Sequence, residues 1–176
     1  MEAETLRHAL RTGTRDLHDS LDAKAGSLDS LDNYCLFLSA SHALRAALEP
    51  SLTAGEGWPL LPILPELQAD MRDLGLPVTG TVQQVRLDNA AARAGALYVL
   101  EGSAIGARLI QRRAAALGLS AEWGARHLAR QTASRDRWPS FLTWLEEQPV
   151  PHAHAVLTAR AVFSRALAAY RLEDAA

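Results

Sequence analysis

The chain is poor in several of the residues from which particular kinds of protein are built. Among its 176 residues there is one cysteine, Cys35, so an intramolecular disulfide and a cysteine-rich metal site are both excluded. There is one lysine, Lys24, and arginine carries nearly all the positive charge. The net charge of -2 supplies no whole-protein attraction for nucleic acid. The arginines between 108 and 137, with Trp123 and Trp138, are spread over several expected elements and interleaved with acids, so no nucleic-acid partner is expected. No apolar run approaches the roughly 20 residues of a membrane span, and the first residues are acidic rather than signal-like. A cytoplasmic protein without a membrane partner is the expectation. Nucleophile-elbow, phosphate-loop and HExxH patterns are missing, as are the Glu-x-x-His pairs of a di-iron bundle. β-branched residues are sparse beside alanine, leucine and arginine, which favours an all-α fold. The length fits one domain over residues 1–176, burying about 70% of its unfolded surface.

What is present is a series of helical patterns. Leu6, Leu10, Leu17 and Leu21 form a stripe through residues 4–25, with Gly26 and Ser27 as its stop. Asp32 is the expected N-cap of a second helix that ends before Pro50. Pro65 suits the first turn of a helix reaching Leu74, followed by Gly75 and Pro77. Residues 78–87 are ambiguous and could begin the next helix early. From Asn89 to Leu117 the pattern is helical throughout, with Gly118 as its terminator. Shorter helices are expected over 121–131 and from Trp138 to Glu147, and Pro151 opens the last one.

The long central helix carries two glycines four residues apart, Gly102 and Gly106. Each should cost a helix interior roughly 1 kcal/mol relative to alanine. At 3.6 residues per turn they lie on one face, about 40° apart, and Ser103 and Ala107 extend the bare strip. Something bulky or flat must lie against it, either another helix or a planar cofactor.

The first helix carries Arg11, Arg15, His18 and Asp22. His18 falls on the border of the leucine stripe, and Asp22 stands one turn later, where its carboxylate can neighbour the imidazole. A histidine that ligates a metal commonly donates its other ring N–H to such a carboxylate. The same pair is also an ordinary surface arrangement. His152 and His154 are about 200° apart on a helix and cannot share one metal there. His8, His42 and His127 have no partner at a recognisable metal-ligand spacing.

Two segments together resemble one family. Thr14–Asp22 is similar to the proximal helix of heme oxygenases, in which a Thr-Arg/Lys-x-x-His segment supplies the axial ligand. Tyr98–Gly106 is similar to the distal helix, most closely in the bacterial branch associated with bacteriophytochromes, and the Trp138–Leu145 and Phe163–Tyr170 segments resemble later helices of that branch. The resemblance implies a heme oxygenase-like helical bundle in which heme is cofactor and substrate. External electrons would reduce the iron, O2 would bind distally, and the ring would open to biliverdin with release of CO and iron. It makes His18 the iron ligand, with Asp22 beside it, and Gly102 and Gly106 the glycines that let backbone approach the heme face. Arg11 and Arg135 become candidate propionate partners, with Arg137 close to the latter. Many family members have an aspartate after the first distal glycine; here Ser103 stands there, as the candidate catalytic hydroxyl. The partners implied are heme, O2, an electron-donating reductase or ferredoxin, and a bacteriophytochrome as biliverdin acceptor. A heme or bilin carrier of the same fold, and a cofactor-free interaction protein in which the glycines only pack helices, are the alternatives.

Overall fold

A computed structural model describes residues 4–25, 28–78 and 82–173; the expected stop at Gly26 and Ser27 lies outside them. Seven helices follow one another among the described residues: α1 (Leu6–Ala25), α2 (Leu31–Thr53), α3 (Leu64–Asp73), α4 (Ala90–Ala116), α5 (Arg126–Thr132), α6 (Arg137–Glu146) and α7 (His152–Glu173). They form the expected all-α arrangement.

The helix ends show where local chemistry sufficed. Asn89 caps α4 by accepting the Ala92 N–H, and Gly118 ends it with a φ of 84°. Pro65 sits in the first turn of α3, where its missing N–H costs nothing. Four expectations need correction. The cap of α2 is Ser30 rather than Asp32, with the Ser30 hydroxyl accepting the Asn33 N–H. That helix also runs through Pro50 to Thr53. A neighbouring segment bonds to the helix on either side of the proline: the Val85 N–H donates to the Ala47 carbonyl at 2.8 Å, and the Ser51 hydroxyl donates to the Val85 carbonyl at 2.8 Å. The described part of residues 78–87 is therefore not an early helix turn. Finally, α5 begins at Arg126 and not near 121, because residues 120–124 close a turn with Gly124 at a φ of 75°.

Several helix starts are capped from elsewhere in the chain. Neither Ile63 nor Ala125 can cap the helix it precedes. The Glu49 carboxylate on α2 instead accepts the N–H groups of Ile63 and Leu64, both at 3.1 Å. Asp70 on α3 accepts those of Arg126 and His127, both at 3.0 Å. A carboxylate facing the positive end of a helix satisfies orphan donors and complements the dipole.

The long helix α4 packs along α7, and α7 along α1 and α2. The two helices come close at Gly95, where an added Cβ would stand 2.1 Å from the Ala155 carbonyl oxygen and 3.1 Å from the Ala159 nitrogen. This is the glycine that helix packing requires. Around it Leu97, Leu100, Ala155, Ala159 and Phe141 are fully or almost fully buried, one apolar centre of the molecule. A second, built from Tyr34, Leu38, Leu67 and Leu128, joins α2, α3 and α5. No helix among the described residues is long and apolar enough to cross a membrane.

Candidate functional site

Between α1, α2, α4, α5 and α7 lies a mostly apolar cavity of about 350 Å³. Sites for small organic ligands fall in the range of about 300–1,000 Å³. His18, Leu21 and Asp22 of α1 line one side, and α4 from Tyr98 to Ile110 lines another. Phe163, Ala166 and Tyr170 of α7 and Phe37, Leu44 and Arg45 of α2 close the space between them.

His18 keeps 57% of its side chain exposed, with its ring edge-on to Phe163 at 5.9 Å between centroids. Its Nδ1 lies 3.2 Å from Asp22 Oδ2. A hydrogen on Nδ1 donated to that carboxylate leaves the Nε2 lone pair free, and Nε2 has no protein partner among the described residues. This is the state in which an imidazole can bind a metal, and the carboxylate fixes the ring's tautomer. No cluster of three or more His, Cys, Asp or Glu suited to a metal ion occurs among the described residues, so a metal here would arrive with other ligands of its own.

The glycine strip on α4 faces the cavity. A Cβ at Gly106 would meet nothing within 4 Å, and one at Gly102 would touch only the Trp138 ring, at an ordinary 3.5 Å. Trp138 of α6 lies beside Gly102 and Gln131 of α5 bonds Ser103, but neither neighbour is close enough to demand glycine at 102 or 106. Beside it, Ile105 is 56% exposed although it lines the cavity. The strip is a bare backbone surface left open on the apolar space.

Ser103 stands between the two glycines with its hydrogen bonding already set. Its hydroxyl donates to the Leu100 carbonyl at 2.6 Å and accepts from Gln131 Nε2 at 2.6 Å. The same carbonyl accepts from the Arg45 guanidinium at 3.4 Å. Arg45 is buried, with Glu49 one turn further along α2 at 3.5 Å, and burial pulls its pKa down while Glu49 and Glu101 push it up. His127 also contributes to the wall. Its Nδ1 lies 2.8 Å from Asp70 Oδ2, and its Nε2 is buried without a protein partner. Such an unsatisfied group costs about 1–3 kcal/mol unless something fills the vacancy.

The structure thus brings together His18, Asp22, Gly102, Ser103 and Gly106. Arg11 and Arg135 do not line the cavity; both are exposed. Arg11 is near enough to Tyr98, which does, for its charge and that of Arg7 to oppose the upward push of burial on the Tyr98 hydroxyl. Arg137 is committed elsewhere. It is paired through Nε and Nη2 with Glu101, donates to the Pro59 carbonyl and lies over the Trp58 ring at 5.3 Å. Sequence reasoning missed Arg45, Gln131 and His127. The only signal for the last two was their i, i+4 spacing on a short helix, which is common.

No family model matches the chain. Individual relatives do. The heme oxygenase PigA of Pseudomonas aeruginosa is 36% identical over 148 aligned residues, spanning 76% of this chain and 73% of that one. This chain belongs to the heme oxygenase family. A heme oxygenase of Xanthomonas campestris is 39% identical over 93 residues, 49% of this chain and 55% of the relative. Among solved structures, the heme oxygenase of Neisseria meningitidis with NO or CO bound superposes with a TM-score of 0.83. It is 26% identical, and the match covers 97% of this chain and 92% of that one. The cavity between α1 and α4 is accordingly where the family's substrate would be sought.

Proposed function

We infer that the cavity takes heme between the first and fourth helices, where His18 Nε2 would hold the iron from one side and the bare Gly102–Gly106 backbone would leave room for O2 on the other. The chain is a heme-degrading oxygenase that uses O2 and electrons from a reductase. Bound heme supplies the iron that activates O2 and the ring that is opened to biliverdin, with release of CO and iron. The observation that carries the assignment of the faces is the contrast between the glycines. Gly95 is demanded by a neighbouring helix, whereas Gly106 opens on empty space.

The residues present fit the group. A planar, largely apolar ligand suits a cavity walled by Leu21, Phe37, Leu44, Ile105 and Phe163, and its binding would cover the exposed Ile105. Asp22 orients the His18 ring and makes Nε2 a better ligand. Bare backbone at Gly102 and Gly106 leaves room beside the ring for a diatomic molecule. The Ser103 hydroxyl gives its hydrogen to Leu100 but keeps a lone pair free for a water, so it holds a proton-carrying water rather than titrating itself. Arg11, on the exposed face of α1 near Tyr98, is positioned for charge-assisted contact with a propionate. The proposal keeps Arg135 as a second propionate candidate, although it is exposed and outside the cavity wall. Arg11 and Arg15 also offer a basic patch for an acidic electron donor. Similarity of the α4 segment to the branch associated with bacteriophytochromes supports such a photoreceptor as biliverdin acceptor in the cytoplasm.

The test is hemin titration of the purified protein and of His18→Ala. The wild type should give a sharp Soret shift with a histidine-ligated spectrum. His18→Ala should lose that signature and bind more weakly, with imidazole added to the solution restoring it in part. Equal spectra from the two proteins would remove His18 as the ligand.

A further inference from the structure

One polar group in the cavity wall has no role in the account above. His127 is 1% exposed, its ring belongs to the wall, and Nε2 has no partner. Its other nitrogen is fixed by Asp70 at 2.8 Å. Asp70 does not depend on His127 alone: it also accepts from the backbone N–H groups of Arg126 and His127 and from the Arg126 guanidinium. We propose that His127, oriented by Asp70, is a positioning residue of the distal wall, whose Nε2 accepts a hydrogen bond from a cavity water and so aims that water's second hydrogen at the oxygen side of the bound heme. The proposal rests on the heme reading of the cavity.

Asp70 carries its pKa below the usual carboxylate value, with the His127 and Arg126 hydrogen bonds outweighing burial, so it accepts and leaves the ring hydrogen on Nδ1. Three charged groups face His127 from the helices packed on it: Asp70 and Glu66 from α3 and Arg45 from α2. Burial and Arg45 disfavour a charged ring, Asp70 and Glu66 favour it, and burial prevails. Neutral and held by Asp70, the ring presents an Nε2 lone pair. Gln131 follows one turn later on the same face of α5, about 5–6 Å away between Cβ atoms. One of its amide hydrogens goes to Ser103 Oγ at 2.6 Å, and the second is available. A water accepting from Gln131 and donating to His127 has the two or more polar partners that a buried water needs, and keeps one hydrogen to donate. Ser103 has committed its own hydrogen to Leu100, so a hydrogen on that side comes from water, and Gln131 with His127 would orient one such water.

The experiment compares the hemin-loaded wild type with His127→Phe and His127→Gln. Three things are read: the hemin-binding curve, the pH midpoint of the visible spectrum of the ferric complex, and the rate of hemin loss in a single turnover. His127→Phe should bind hemin with the histidine-ligated spectrum intact, move the spectral midpoint by roughly half to one unit, and slow hemin loss about tenfold, the scale of one hydrogen bond. His127→Gln, which keeps an acceptor, should recover part of both. An unchanged midpoint and rate in His127→Phe with hemin bound overturns the proposal. Should that variant fail to fold, ¹⁵N shifts of His127 in the wild type decide: hydrogen on Nδ1 with Nε2 accepting supports the assignment, and hydrogen on Nε2 overturns it. A wild type that binds no hemin would instead overturn the heme reading beneath it.

Discussion

Replacing Gly106 with alanine should make the ligand-free protein more stable and the heme-bound protein worse. In a helix interior alanine is favoured over glycine by about 0.8–1 kcal/mol. Nothing stands within 4 Å of the new Cβ, so no steric cost offsets the gain. For a chain of this size, a gain of about 1 kcal/mol raises Tm by about 2–4 °C. The methyl would, however, occupy the face against which heme and O2 must fit. A loss of roughly tenfold in hemin affinity corresponds to about 1.4 kcal/mol of steric cost, and Gly106→Leu should lose far more. Gly95→Ala is the control on the same helix. Its Cβ would press from 2.1 Å on the Ala155 carbonyl oxygen, a backbone atom that cannot swing aside, so α4 and α7 must separate. Overpacking of that kind costs about 1–3 kcal/mol or more. Thermal unfolding of the ligand-free proteins and hemin titration of each would measure both effects. A lower Tm for Gly106→Ala, or hemin affinity and turnover equal to wild type, would refute the reasoning that this glycine serves the cavity.

Three further outcomes are expected. His42 and His127 are both held neutral by burial, with pKa values below the ordinary 6.5. Below about pH 6.5 the unfolded chain takes up protons that the folded one refuses, so unfolding free energy should fall as pH is lowered through that range and stay flat above it; urea melts at pH 8 and 5.5 check the sign. Glu101→Ala should destabilise by about 1–3 kcal/mol, because it removes the carboxylate shared by the Arg137 guanidinium and the Trp58 N–H, and the urea midpoint should drop accordingly. Arg11→Glu with Arg15→Glu should slow reductase-driven turnover in a salt-sensitive way; unchanged rates and hemin affinity would remove the docking patch.

The parts of this molecule legible in the sequence were those set by local rules. The Asn89 cap, the Pro65 start and the Gly118 stop follow from side-chain and backbone chemistry within a few residues. Where a distant group decided, local reading failed. Pro50 marks a helix end by propensity, yet the Val85 segment bonds to the backbone around it and α2 continues. The turn closed at Gly124 stops α5 from beginning near 121, and its first N–H groups are held by Asp70, more than fifty positions away, which no local pattern announces. The site divides in the same way. His18 with Asp22 and Gly102 with Gly106 could be seen as helical spacings. Their meeting across one cavity followed only from the family resemblance and not from spacing, and nothing local separated Gly95 from Gly106 into a packing glycine and a cavity glycine. Arg137 looked available for an anionic ligand, but its engagement with Glu101 is a tertiary fact. His127 carries no local signal because its partner Asp70 comes from another helix, and the spacing of Arg45 with Glu49 on α2 is that of an ordinary surface pair and does not announce burial.

The most direct test is to load purified protein with hemin, add a competent reductant or reductase under air, and follow the visible spectrum. The account predicts a Soret band that forms at one hemin per chain and then decays into the broad absorption of a bilin, with CO released. A Soret band that forms and persists while the reductant remains active would contradict it, leaving a protein that holds heme without opening it.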